Sequence, residues 1–123
     1  MDDKKTTGYI LLTYKNKVLL MYKSNSSIDE EKHEWTLLET VKKGNESIKK
    51  ALARLVFQEA GIKLVNIDFI EDNFYHSRLT DNHVNNIKRD ELQLLNFFSK
   101  NELNNLNLSN ITKDFLAKHN NLI

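Results

Sequence analysis

The segment ESIKKALARLVFQEAGI, residues Glu46–Ile62, decides how the rest of this sequence can be interpreted. Its apolar residues recur at steps of three and four, the spacing that places side chains on one face of an α-helix. Gly61 follows the last of them, at a position where a left-handed glycine commonly ends a helix. We therefore predict an amphipathic helix from about Ser47 to Ala60.

Upstream of this helix, the sequence predicts a β-hairpin and then a second extended segment. Short apolar and aromatic runs at Gly8–Tyr14 and Val18–Tyr22 are separated by a short polar stretch, as in two strands joined by a tight turn. The segment Lys23–Glu34 is polar and charged, which predicts a surface loop. The run Trp35–Leu38 predicts a return to the sheet.

Downstream of the helix, the sequence predicts more strands and two short helices. The predicted strands are Leu64–Ile70, Phe74–Leu79 and Glu91–Phe98. A polar loop, Thr80–Asp90, lies between the last two. A capping-box pattern that begins at Ser99 predicts one helix, and Ser109 or Asn110 caps a last helix towards Lys118. This order predicts a mixed α/β fold with helices packed against a sheet.

Length and composition limit the functional classes. A chain of 123 residues that is 40% hydrophobic suits one globular domain over residues 1–123. Because 18 basic and 17 acidic residues give a formal charge of +1, we expect no nucleic-acid or membrane partner. The lack of cysteine excludes disulfides and thiolate metal sites. The N-terminal residues predict neither a signal peptide nor a membrane span, so we expect a cytoplasmic protein, and a homodimer is compatible with the sequence.

Residues 40–62 resemble the Nudix box at its characteristic spacing. That pattern reads glycine, five residues, glutamate, seven residues, then Arg-Glu-aliphatic-any-Glu-Glu-any-Gly-aliphatic. The residues in register here are Glu46, Arg54, Val56, Glu59, Gly61 and Ile62. The resemblance covers nearly the whole chain and implies a mixed β-sheet sandwiched between helices. It also implies a pyrophosphohydrolase of nucleoside diphosphates linked to another group, with Mg²⁺ or Mn²⁺ as cofactor.

The sequence departs from this pattern at positions that would hold the metal. Thr40 stands where the box has glycine, and Leu55 and Gln58 replace two of the three helix glutamates. Carboxylates three or four residues apart share one helix face and can together bind a divalent cation. Leucine offers no oxygen, and an amide is a poor ligand for magnesium. We therefore expect hydrolysis to be weak or lost.

The resemblance assigns roles to four residues. Glu59 is the remaining catalytic and metal-binding carboxylate of the box. Glu91 lies near where several Nudix enzymes place an additional catalytic or metal-binding carboxylate. Glu46 and Arg54 resemble the ion pair that orders the loop before the helix. Whether Glu39 or Glu91 comes close enough to Glu59 to repair the metal site is a question of three-dimensional proximity.

Two functions remain open from the sequence. Either Glu59 and Glu91 complete a depleted magnesium site in a hydrolase, or the domain binds a nucleotide or a protein without catalysis. Leu55 favours the second, because it extends the apolar stripe of the helix. Lys23 and Arg78 are candidate phosphate contacts, although scattered basic residues on a near-neutral surface are usually solubilising. The loops carry no pattern that selects a particular nucleotide.

Overall fold

The computed structural model of this chain describes residues 7–24, 33–87 and 95–123. Within these ranges, seven strands form one mixed sheet, and helices pack on both of its faces. The strands are β1 (Thr7–Tyr14), β2 (Lys17–Ser24), β3 (His33–Thr36), β4 (Leu38–Val41), β5 (Asp68–Glu71), β6 (Phe74–Arg78) and β7 (Leu95–Ser99). The helices are α1 (Ile48–Ala60), α2 (Asp81–Asn85), α3 (Lys100–Leu103) and α4 (Asn110–Lys118), and a 3₁₀ turn follows at Asn120–Leu122. The predicted mixed sheet between helices is confirmed.

Strand β1 lies at the centre of the sheet. It runs parallel to β6 on one side and antiparallel to β2 and β4 on the other. The strands β1 and β2 pair only near their turn, and beyond it the chain from His33 to Val41 lies between them. Strand β7 pairs with the other side of β2, and β5 pairs with β6 at the far edge. The predicted hairpin is thus confirmed.

The sheet separates two apolar cores. Successive side chains of a strand point to opposite faces, so β1 contributes to both cores. Ile10 and Leu12 face α1, Leu11 faces α4, and all three have no exposed surface. The α1 side also contains Leu19, Leu38, Leu52, Val56, Ala60 and Ile62. The α4 side also contains Val18, Leu20, Leu37, Phe98, Phe115 and Leu116.

Helix α1 is the helix that the periodicity predicts. Ser47 is its N-cap, and the Ser47 side chain accepts a hydrogen bond from the Lys50 backbone N–H. Gly61 caps the other end in the left-handed conformation, with φ of 71°, and its N–H donates to the Phe57 carbonyl. Local signals at both ends therefore fix the length of this helix.

The strand predicted at Leu64–Ile70 is wrong in its first half. Strand β5 begins only at Asp68, because β6 provides pairing partners for Asp68–Glu71 and not for the residues before it. The apolar residues of the first half also differ in burial, since Val65 is 82% exposed whereas Ile67 is buried. Strand β6 agrees with the prediction, and β7 begins at Leu95, so the start predicted at Glu91 lies outside the described residues.

The predicted loop Thr80–Asp90 contains a short helix, α2. The Thr80 side chain accepts from the His83 backbone N–H, and the His83 Nδ1 accepts from the Thr80 backbone N–H at 3.2 Å. This capping box uses histidine at the position where glutamate or glutamine is usual, which explains why the sequence pattern did not reveal it. Residues 88–90 of the predicted loop lie outside the description.

The extended segment Trp35–Leu38 is divided between two strands. The backbone N–H of Leu37 donates to the side-chain hydroxyl of Thr112 at 2.9 Å instead of to a neighbouring strand. As a result β3 pairs with β2, and β4 pairs with β1. The loop predicted at Lys23–Glu34 is also shorter than expected, because β2 continues to Ser24 and β3 begins at His33.

Candidate functional site

Glu46 and Arg54 join the loop before α1 to the helix itself. Both carboxylate oxygens of Glu46 lie 2.6 Å from Arg54 Nη1. The Lys43 backbone N–H donates to Glu46 Oε1 at 2.8 Å, and the Glu46 backbone N–H donates to the Lys43 carbonyl. The hydrogen bond from Arg54, and after it the bond from Lys43, holds the pKa of Glu46 below its ordinary value.

This ion pair is partly shielded from water. The Arg54 and Glu46 side chains are 30% and 20% exposed, respectively. Gly44, in the same loop, adopts a left-handed conformation with φ of 56°, which glycine adopts without strain. One carboxylate therefore fixes both the turn at Lys43 and the position of that turn against α1.

Helix α1 lies directly on β1 at Gly8. A methyl group at Gly8 would overlap Ile48 Cγ2 and would lie 3.3 Å from Leu52 Cδ1. Gly8 is opposite Thr40 in the pairing of β1 with β4. Thr40, which stands where the box pattern has glycine, therefore lies on the strand next to the point where α1 contacts Gly8.

The three positions where the box pattern has metal-binding glutamates differ in environment. Leu55 is half-buried and packs against the core on the α1 side. Gln58 and Glu59 are exposed on the last turns of the helix. Position 55 thus contributes to packing, and Glu59 is the one carboxylate among these three positions.

Two other residues considered from the sequence lie on the opposite face of the sheet from α1. Glu39 pairs with Tyr9 across β4 and β1, and Tyr9 packs against the core on the α4 side. Burial and the charge of Glu39 raise the pKa of Tyr9. Arg78 pairs with Thr13, two positions after Leu11 on β1, and therefore also lies on the α4 side. The sheet separates both residues from the helix that carries Glu59.

The described residues do not fit a divalent metal ion. No group of three or more histidine, cysteine, aspartate or glutamate side chains in this part of the chain is arranged to hold one. At the box, leucine and glutamine occupy two of the positions from which carboxylates would come. Glu91 and the side chain of Lys23 lie outside the described residues.

The sequence did not reveal a cluster of hydroxyl groups that anchors α4. Thr112 Oγ1 lies 3.0 Å from Thr36 Oγ1 and accepts from Ser109 Oγ at 2.8 Å. Thr112 is fully buried. The capping role of Ser109 was a sequence signal for one member of this cluster. The long-range partners could not be predicted, because Thr36 and Thr112 are 76 residues apart in sequence.

Comparison with known proteins gives a match in structure. No sequence-family profile matches the chain, and no curated protein matches it in sequence. A hydrolase of the NUDIX family from Clostridium perfringens matches it with a TM-score of 0.73 and 17% identity, over 95% of this chain and 96% of that chain. The chain has the Nudix fold. At this identity the match establishes the fold, and activity has to be argued from the residues.

Two further structures that match this chain were determined with a ligand or a partner. The NUDIX domain of Shewanella oneidensis NrtR, complexed with ADP ribose, matches with a TM-score of 0.68 and 12% identity over 94% of this chain and 85% of that chain. The C-terminal domain of mouse MUTYH, in a complex with human PCNA, matches with a TM-score of 0.69 and 13% identity over 94% of this chain and 86% of that chain.

None of the described helices of this chain is long and apolar enough to span a membrane.

Proposed function

We propose that this chain is a Nudix-fold domain that binds a nucleotide-like ligand and has weak or no pyrophosphohydrolase activity. The observation that carries this proposal is the packing of Leu55 against the core on the α1 side. At a position that would supply a metal-binding carboxylate, the chain has a side chain that stabilises the fold instead. Loss of a metal that neutralises phosphate charge and activates water would lower the rate by orders of magnitude.

A nucleotide-like ligand is supported by the retained scaffold of the box. Glu46 and Arg54 are hydrogen-bonded between the loop before α1 and the helix, as the box pattern implies, although leucine and glutamine stand at two positions where that pattern has glutamate. The NUDIX domain of NrtR, which shares the fold, was determined with ADP ribose bound. We therefore propose a ligand with a diphosphate linked to a nucleoside. A protein ligand is the competing form of the same proposal, since the MUTYH domain was determined with PCNA.

The second candidate function is slow hydrolysis that depends on Mg²⁺ or Mn²⁺, with Glu59 and Glu91 as catalytic and metal-binding residues. One observation favours it: Glu59 is exposed near the end of α1, where an ion could reach it. In this alternative, the phosphate contacts would include Lys23. Arg78 is a poorer candidate for that role, since it lies on the α4 side of the sheet.

Two assays on the purified chain separate these functions. In the first, nucleoside triphosphates, dinucleoside polyphosphates and nucleoside diphosphate derivatives are incubated with Mg²⁺ or Mn²⁺, with Glu59→Gln as the control. In the second, binding of ADP ribose and related compounds is measured by calorimetry without added metal. We expect binding and no hydrolysis above that of the control. Metal-dependent turnover that disappears in Glu59→Gln would refute the loss of activity.

A variant that restores the box provides a positive control. Leu55→Glu combined with Gln58→Glu returns carboxylates to both positions, and three carboxylates on adjacent turns suit a divalent cation. If these residues account for the missing metal site, the double variant binds Mn²⁺ more tightly than the natural chain. Unchanged Mn²⁺ affinity in a folded double variant would show that the loss of the site has another cause.

A further inference from the structure

The parallel pair β1 and β6 creates a second place where a ligand could bind. Among the described strands, this is the one pair that runs in the same direction. Their carboxyl ends lie side by side, with Thr13 opposite Arg78. In open sheets, ligands commonly bind just outside the carboxyl ends of parallel strands. This edge of the sheet is therefore the place to look for a site other than the box.

A cavity of about 440 Å³ lies at this edge. Its walls are the β1–β2 turn, the start of α2 and the C-terminal residues 121–123. The strand ends contribute Thr13, Arg78 and Leu79, and the C-terminal turn contributes the apolar Leu122 and Ile123. Cavities of roughly 300–1,000 Å³ hold small organic molecules. The space is thus larger than an inorganic ion requires.

Two charged residues in the wall of the cavity, Lys15 and Asp81, form an ion pair. Lys15 Nζ lies 3.2 Å from Asp81 Oδ1, and the Tyr14 hydroxyl donates to the same oxygen at 2.6 Å. The hydrogen bond from Tyr14, followed by that from Lys15, lowers the pKa of Asp81. Asp81 therefore stays ionised at neutral pH and balances the charge of Lys15.

Arg78 carries a charge that pairs with no other described side chain. Its side chain is exposed at the cavity, and no ion pair joins it to any residue in the described ranges. Beneath it, Thr13 Oγ1 and His76 Nε2 are hydrogen-bonded at 2.8 Å in a buried position. Burial, and then the charge of Arg78, lowers the pKa of His76, so the histidine adds no second positive charge at neutral pH. Among the described residues, the cavity therefore presents one guanidinium without an ion pair, beside the apolar side chains of Leu122 and Ile123.

We propose that this cavity binds a small molecule with an oxyanion head group on an apolar body. The planar guanidinium of Arg78 can donate two parallel hydrogen bonds to a phosphate or carboxylate. Leu122 and Ile123 would contact the apolar part of the ligand. This site is separate from the box, because the sheet lies between Arg78 and α1, and it does not depend on the function proposed above.

Three small probes test the proposal on the ¹⁵N-labelled full chain. Phenyl phosphate and benzoate carry the two kinds of oxyanion on the same ring, and phenol carries none. Titration is followed by amide chemical shifts in NMR spectra. We expect saturable shifts at Thr13, Arg78 and Leu122 with at least one of the two anions, and none with phenol. The better anion identifies the head group.

Two exposed basic residues provide a matched pair of variants. Arg78→Gln should raise the Kd of the better anion at least about tenfold, since a hydrogen bond to a charged group typically contributes that much. Lys49→Gln removes the same charge from α1, outside the cavity, and should change the Kd less than twofold. Arg78→Lys keeps the positive charge but loses the two parallel N–H donors of the guanidinium, so it should give an intermediate Kd.

Three outcomes would overturn the proposal. The first is the absence of saturable shifts at the cavity with either anion. The second is an equal loss of affinity in Arg78→Gln and Lys49→Gln, which would mean general attraction of anions to the surface. The third is phenol binding as tightly as the anions. Because Arg78 is exposed, its variants should keep the fold of the natural chain, and an NMR spectrum of each variant without ligand checks this.

Discussion

Replacing Thr112 with valine removes the hydroxyl that joins α4 to the strands β3 and β4. The Thr112 hydroxyl accepts from the Leu37 backbone N–H at 2.9 Å and from Ser109 Oγ at 2.8 Å. It also lies 3.0 Å from Thr36 Oγ1. Valine has nearly the same shape as threonine, so the variant changes hydrogen bonding and leaves the packing largely as it was.

The cost follows from which groups lose their partners. Thr36 and Ser109 remain within hydrogen-bonding distance of one another, at 3.2 Å. Leu37 has no exposed surface, and its N–H loses the acceptor that it has in place of a strand partner. An unpaired buried donor costs about 1–3 kcal/mol. We therefore expect Thr112→Val to lower the free energy of unfolding by about 1–3 kcal/mol.

Urea denaturation followed by circular dichroism measures this change. The midpoint should fall, and the slope should remain the same, because the surface exposed on unfolding does not change. Thr112→Ser is the control, since it keeps the acceptor and loses one buried methyl group, at a cost of roughly 0.8 kcal/mol. If the valine variant is as stable as the natural chain, the hydroxyl cluster does not contribute to the attachment of α4.

Three further changes test other parts of the structure. Gly8→Ala should lower the free energy of unfolding by about 1–3 kcal/mol, because its methyl group overlaps Ile48, and urea denaturation measures the loss. The lowered pKa of Glu46 predicts a stabilisation by Arg54 that is complete above the ordinary value of 4.5 and is lost as the pH falls through the lower folded-state value. Thermal unfolding of Glu46→Gln should show a weaker dependence on pH in that range, and an unchanged dependence would contradict the assignment. His76 has a pKa lowered from 6.5, so folding disfavours its protonation and stability should decline as the pH falls below that value. His76→Gln should reduce this decline, and an equal decline in both proteins would exclude His76 as its source.

Local patterns in the sequence predicted the elements whose signals are local. Helix α1 follows from its periodicity and from the caps at Ser47 and Gly61. The end of β3 could not be predicted, because Leu37 bonds to Thr112, 75 residues away. The first half of the predicted strand at Leu64–Ile70 failed for a related reason, since its composition suited a strand but β6 forms a ladder only with Asp68–Glu71.

In the candidate site too, features set by nearby residues could be predicted from the sequence, and features set by distant residues could not. The resemblance of residues 40–62 to the Nudix box was enough to suggest that Glu46 and Arg54 pair. The placement of Arg78 depends on which residue of β1 lies opposite it, and strand register is set by the whole sheet. Its separation from α1 therefore became evident only with the fold.

The packing of Leu55 limits which side chains this chain can accept at position 55 without losing stability. A charged carboxylate at this half-buried position would lose the apolar packing of Leu55 and lower the free energy of unfolding. At that position, only a bound metal ion would offset the loss. Natural domains tolerate few such losses, because their stability exceeds what function requires by only a small margin. A variant with glutamate at position 55 would therefore need a stabilising substitution elsewhere. Because Leu55 packs against the core, a metal-binding helix could not be built on this chain by changing that one codon without a loss of stability.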